Sequence, residues 1–186
     1  MDTSRVFQVS IFFQGKLAQA TESFSEDRRI GGGGFGDVYM TSRGMTSILG
    51  LGSLHDYVAI KKLNSASLQG QSEFLKEIQV QGGCRHENLL VLLGFSADSG
   101  VSQGREGLCL VTPLMRGGSL ADRIVLDAPA CQRLSMLPGA PAGGRHQPLT
   151  WSQRLTVALG ALSGLVYLHT PDASTHKPTV CHGMRP

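Results

Sequence analysis

Between Arg29 and Met40 the sequence runs RIGGGGFGDVYM, and its four successive glycines restrict the chain more than any other feature. Glycine loses more backbone freedom on folding than any other residue, so a run of it is useful where side chains would stand in the way. Gly31, Gly33 and Gly36 have the G-x-G-x-x-G spacing of phosphate-binding loops. In a chain with 24 glycines among 186 residues the match means little by itself, and its surroundings decide. A dinucleotide site needs a strand before the glycines and a long helix opening on the last one, so that the helix N-terminus faces a pyrophosphate. Asp56 falls near the distance expected of a ribose carboxylate, yet DVYMTSRGMTS after Gly36 is β-prone and has no helical period. The Walker loop fails too, because no Gly-Lys-Ser/Thr closes the run. A third geometry puts the glycines at the tip of a β-hairpin folded over a nucleotide, where backbone N–H groups approach phosphate oxygens.

That geometry requires a lysine on the next strand for the phosphates and a carboxylate on the following helix to hold the lysine. YVAIKKL reads as a buried, β-branched strand, and Lys61 directly follows Val58-Ala59-Ile60. Alternation turns Lys62 to the other face, as a solvated lysine. SEFLKEIQV reads as a helix with Phe74 and Ile78 one turn apart, ended by Gly82-Gly83. Glu77 shares the inward face with Phe74, and Glu73 fits an exposed charge. Two short apolar runs, NLLVLLGF and LCLVTPLM, read as strands. The expected order is therefore two strands, a third, a helix and two more strands, with a Gly/Ser loop over residues 41–56. Residues 128–148 carry four prolines and several glycines and read as an irregular insert. In TWSQRLTVALGALSGLVYLH, Leu155, Leu159, Leu162 and Val166 share one helical face, and Thr150 with Gln153 has capping-box spacing.

Composition bounds the alternatives. A 41% hydrophobic content in 186 residues can build a core, and a net charge of +3 spread along the chain argues against a nucleic-acid partner. Cys84, Cys109, Cys131 and Cys181 form no C-x-x-C pair and read as reduced thiols. The apolar patch VFQVSIFF is broken by Gln8 and Ser10 and is far short of the roughly 20 residues a span needs, so no membrane segment is expected. A soluble, cytoplasmic chain is the expectation, with a receptor segment upstream of Met1 left open.

Taken together, ATESFSEDRRIGGGGFGDVY, VAIK, EFLKEI, HENLLVLLGF, LCLVTPLMRGGSLADRI and LTWSQRLTVALGALSGLVYLH resemble, in order, the first part of a protein kinase domain. The resemblance is to the receptor-like and interleukin-receptor-associated (Pelle-type) serine/threonine group. It implies an α+β, kinase-like fold: a small lobe of antiparallel sheet plus one regulatory helix, then an incomplete helical large lobe. The implied divisions are an N-terminal extension over 1–16, small lobe and hinge over 17–115, and the start of the large lobe over 116–186, with the insert 128–148 and a long helix 151–169.

By this resemblance Gly31, Gly33 and Gly36 shape the loop over the ATP phosphates with Phe35 at its tip, and Ile30, Val38 and Ala59 roof the adenine. Lys61 pairs with the phosphates and with Glu77. Thr112 takes the gatekeeper position. Pro113 offers its carbonyl to the adenine amino group and Met115 its N–H to the ring, so a proline is tolerable in the hinge. The resemblance places VCHGMRP at the catalytic loop: His182-Gly183 fits a His-Gly variant, and Met184 stands where the catalytic Asp would be. A thioether cannot take the substrate hydroxyl's proton. The chain stops at Pro186, before the metal-binding Asp-Phe-Gly, so no metal ligand is expected, and Mg²⁺ and a protein substrate belong to a full-length form. Two functions follow: the ATP-binding part of a serine/threonine kinase, inactive as this chain alone, or a pseudokinase-like nucleotide- or partner-binding module. A translated remnant of a broken gene is a third.

Overall fold

The computed structural model describes residues 9–34, 36–51, 55–63, 68–97 and 108–170. Phe35, Cys181, His182, Gly183 and Met184 lie outside the described residues. The chain divides into two compact units, Met1–Gly82 with Val91–Pro113, and Gly83–Leu90 with Leu114–Pro186.

The first unit is a six-stranded sheet in the order β1-β5-β6-β4-β3-β2, built from β1 (Ser10–Ile11), β2 (Arg29–Gly33), β3 (Gly36–Met40), β4 (Val58–Leu63), β5 (Gly94–Ala97) and β6 (Leu108–Pro113). The last five pair antiparallel, and β1 joins β5 in parallel. Between β4 and β5 lies α2 (Leu68–Gly83), and α1 (Gln14–Ala20) follows β1. Strand alternation sorts the side chains onto two faces. On one, Val58, Ile60, Cys109 and Val111 are completely buried against Leu17, Ala20 and Phe12, and each buried Val or Ile contributes about 1.5–3 kcal/mol. On the other, Leu63 and Leu110 pack with Leu92 and with Phe74 of α2.

Two elements come from a stretch that reads as preamble. The helix α1 is short and has no side-chain N-cap, so tertiary burial of Leu17 and Ala20 holds it, not local sequence. After it Glu22, Ser23 and Phe24 take left-handed conformations in succession (φ 53°, 60° and 56°), a costly arrangement for side-chain-bearing residues. It is held by Ser23 N–H to Ala18 O at 2.7 Å and Phe24 N–H to Thr21 Oγ1 at 3.2 Å. The turn sets Phe24 edge-on to Tyr39, with centroids 5.3 Å apart, and beneath the Lys62 ammonium at 4.7 Å. Lys62, expected to be solvated, therefore lies on the opposite face from Lys61 but caps an aromatic ring.

NLLVLLGF is a strand only from Gly94, because Leu89 to Leu93 form a turn and an extended approach whose Leu93 N–H bonds Val111 O at 2.9 Å. In the loop over residues 41–56, Met45–Ser47 is a turn of 3₁₀-helix and Leu49 is buried.

In the second unit, α3 (Leu120–Val125) and α4 (Ala128–Met136) precede α5 (Trp151–His169). The insert expected to be irregular over 128–148 thus contains a helix. Its proline sits at the permitted N-terminal turn, and the Asp127 side chain caps it by accepting from Ala130 N–H at 2.8 Å. Leu134 and Leu137 are buried beside Gly118, where a Cβ would stand 2.2 Å from Leu134 Cδ2. The helix α5 has the reciprocal Thr150–Gln153 capping box. It packs by Gly164 against Asn88 and Leu89, with Tyr167 Oη accepting from Arg85 N–H at 2.9 Å.

Candidate functional site

The glycine run forms the β2–β3 hairpin, in which Gly31 opposes Val38, Gly32 opposes Asp37 and Gly33 opposes Gly36, with a bulge between Arg29 and Gly31 that contains Ile30. Residues facing one another across a ladder share a face, so Gly31, Gly33 and Gly36 lie on the same side as Val38. The ladder continues this face: Val38 opposes Lys61, Met40 opposes Ala59, and Ala59 opposes Thr112. A stripe of bare backbone therefore runs on the side of the sheet from which Lys61 projects.

Each glycine is tied to a different demand. A Cβ on Gly31 or Gly33 would meet nothing within 4 Å, so the main chain there is open to an incoming group. Gly36 has φ 137°, and a Cβ would come within 2.2 Å of Lys62 O on β4. Gly32 lies on the far face, crossed by an ion pair in which Arg29 Nε and Nη2 donate to Asp37 Oδ1 at 2.9 and 2.7 Å. That brace ties β2 to β3 beside the tip. Sequence reading passed over it, although a basic and an acidic residue flank the run.

Lys61 Nζ donates to both carboxylate oxygens of Glu77, at 3.1 and 2.8 Å. The side chains are 32% and 26% exposed, so the ammonium is oriented by protein on one side and open on another. Such a part-exposed pair stabilises the fold by only about 1 kcal/mol; what it fixes is the place of a positive charge. Gln81 donates to Glu77 Oε1 at 3.1 Å, one turn further along α2. The i, i+4 spacing of Glu77 and Gln81 was the available signal for this unanticipated third member.

Ile30, Gly31, Gly33, Gly36, Val38, Ala59, Lys61, Glu77, Thr112 and Pro113 all belong to the first unit, and Met115 to the second. Val38, Ala59, Thr112 and Pro113 are half-buried, and Met115 is exposed. Pro113 ends β6 opposite Val58. Among the described residues no group of three or more His, Cys, Asp or Glu is placed to hold a metal ion. Burial pushes the Cys109 thiol up to about 12, which makes it an inert core group.

Comparisons with known proteins follow the same outline. Residues 24–178 match the family described as protein tyrosine and serine/threonine kinase. The Arabidopsis thaliana probable serine/threonine-protein kinase PBL20 is 36% identical over 86% of the chain, which spans 35% of that protein. The probable L-type lectin-domain containing receptor kinase I.2 of the same plant is 34% identical over 83% of the chain, which spans 18% of it. Among solved structures, the pseudokinase DRIK1 (drought responsive inactive kinase 1), bound to ENMD-2076, superposes with a TM-score of 0.60 at 20% identity over 88% of this chain and 52% of its own. A second pseudokinase, in its apo form, gives 0.62 at 20% identity over 91% and 51%. Both establish likeness of fold.

Proposed function

The chain belongs to the protein tyrosine and serine/threonine kinase family, and on that premise we propose that its first unit is the ATP-binding part of a serine/threonine kinase. Members of the family use ATP with Mg²⁺ and act on protein substrates. The observation that carries the reading is the Lys61–Glu77 pair, standing on the face lined by the bare backbone of Gly31 and Gly33.

The residues fit a nucleotide on their own chemistry. The open glycine backbone presents N–H groups where phosphate oxygens need donors. Lys61, steered by Glu77, places its ammonium against the α- and β-phosphates. Ile30, Val38 and Ala59 supply an apolar cover for adenine, and Thr112 leaves room beside it. Pro113, which ends β6, offers its carbonyl to the adenine edge. When bound, the nucleotide supplies the phosphoryl group that a kinase passes to a protein hydroxyl. No magnesium ligand is assigned to the described residues. The reading places this work in the cytoplasm, where ATP is available. No helix among the described residues is long and apolar enough to cross a membrane, and receptor kinases stand among the relatives.

Calorimetric titration of the 186-residue chain with ATP tests the reading. Binding is expected, weakened about tenfold or more in Lys61→Met because a charge-assisted contact is lost. A chain that binds no ATP, or a Lys61→Met variant that binds it equally well, would sink the proposal.

One sequence observation favours a second reading, in which the chain binds nucleotide or a partner without transferring phosphate. Met184 stands at the position the kinase resemblance gives to the catalytic Asp, and a thioether cannot act as a base. Magnesium-dependent phosphate transfer to a generic protein substrate, abolished by Lys61→Met, refutes it, whereas ATP binding without transfer is expected of this chain on either reading.

A further inference from the structure

The N-terminal strand pairs through only two residues, yet its neighbours reach both faces of the sheet. Ser10 N–H donates to Leu93 O at 3.0 Å and Phe12 N–H to Phe95 O at 2.9 Å. Phe12 is buried among Leu17, Leu49 and Val58 on one face. Val9 packs on the other, against the cluster of Leu63, Phe74, Leu92 and Leu110 that Ile78 also joins. The chain thus crosses the sheet edge with one apolar anchor on either side, while Ile11 between them is 75% exposed. Gly94 is what allows the crossing: a Cβ there would lie 2.3 Å from both Phe12 Cε2 and Ser10 O.

Val9 also meets the far end of α2, where a Cβ on Gly82 would sit 3.4 Å from Val9 Cγ2. Among the described side chains of α2 only Phe74 is buried. Ile78 is only partly buried on that cluster, so each further contact on this face of α2, the helix that carries Glu77, counts toward holding it.

We propose that Val9–Phe12 is a positioning latch, which holds α2 against the sheet and thereby keeps Glu77 at Lys61. The consequence for nucleotide affinity rests on the ATP-binding reading; the effect on α2 does not. Release of this segment from the sheet edge would loosen α2 and leave the Lys61 ammonium without its guide, with no change in the glycine hairpin. Val9 and Gly94 act through Glu77 and touch no phosphate.

Two variants of the full chain test the latch. Val9→Ser removes the contact with α2, and Gly94→Ala expels β1 without altering a side chain of α2. Hydrogen exchange over residues 74–83 is expected to accelerate about tenfold in both, while β4 and β6 stay protected, because only a local opening is made easier. ATP affinity is expected to fall about three- to tenfold in the native background, and no further when Glu77→Gln is already present, since the paired changes share one route. Unchanged exchange in α2 overturns the proposal, as does an equal loss of affinity with and without Glu77→Gln. Should the unmodified chain bind no ATP, the nucleotide reading falls, and exchange in α2 alone decides for or against the latch.

Discussion

At Gly36 the backbone requires glycine twice over, by its φ of 137° and by the 2.2 Å approach a Cβ would make to Lys62 O. A side chain there would have to push β3 away from β4, so Gly36→Ala is expected to lower unfolding free energy by about 2–3 kcal/mol, measured by urea titration. Gly31 is the contrast, with open space around its missing Cβ. Gly31→Ala should leave the urea midpoint within about 0.5 kcal/mol of the parent and reduce ATP affinity, because the added methyl intrudes where phosphate would approach. A Gly31→Ala variant that unfolds early, or a Gly36→Ala variant of parental stability, would show that the roles of the two glycines are misread. The juxtaposition of Lys61 with Glu77 was legible because it follows from strand alternation on β4 and the inward face of α2. The braces around it were not. Arg29–Asp37 and Gln81 depend on which strand residues end up opposite one another, and a register is invisible until the bulge at Ile30 is known.

The elements missed in the sequence share one cause. Helices α1 and α4 and strand β1 are short, and their stability is tertiary, so no periodicity announces them. Residues 128–148 looked irregular because proline and glycine dominate the local signal, yet Pro129 falls in the first turn of α4, where a proline costs nothing. By contrast α2, α5 and strands β3, β4 and β6 carry their own pattern and were legible to within a few residues. What anchors α4 is long-range: Arg133 Nε donates to Asp122 Oδ1 at 3.1 Å, with a second, shorter bond from Nη2. The Arg133 guanidinium and then the Ser119 hydroxyl hold the Asp122 carboxyl below its ordinary value, with burial acting in the opposite sense. A carboxylate with a lowered folded pKa contributes its stability in full above the ordinary Asp value of 3.8. The contribution is lost as pH falls through the lower folded value. The docking of α4 on α3 should therefore be constant near neutrality and weaken only in strong acid, as followed by hydrogen exchange across α4. Asp122→Asn should remove about 1–2 kcal/mol at neutral pH and flatten that acid dependence; an unchanged acid profile would show that other groups govern it.

On the scale of the whole molecule, the chain spans 35% of the length of PBL20 and 18% of that of the lectin-domain receptor kinase I.2, and its second unit leaves a long apolar surface in water. Leu155, Leu159, Leu162 and Val166 of α5 are 46%, 68%, 57% and 57% exposed, and in α5 only Gly164 is buried. The helix is stabilised locally by its capping box and by the contacts of Tyr167 and Gly164, not by burial of its leucines. Two consequences follow from the same exposure. Leu159→Lys combined with Leu162→Glu changes side chains that are both more than half exposed, so stability should change by no more than about 1 kcal/mol. Contiguous exposed apolar surface drives association, so the parent chain should self-associate at micromolar concentration and bind a hydrophobic dye, and the double variant should do neither. Sedimentation velocity over a concentration series, beside thermal melts of both proteins, separates the alternatives. A parent chain that stays monomeric, or a double variant that melts many degrees lower, would mean these leucines are covered in solution and that α5 lies differently from the arrangement described.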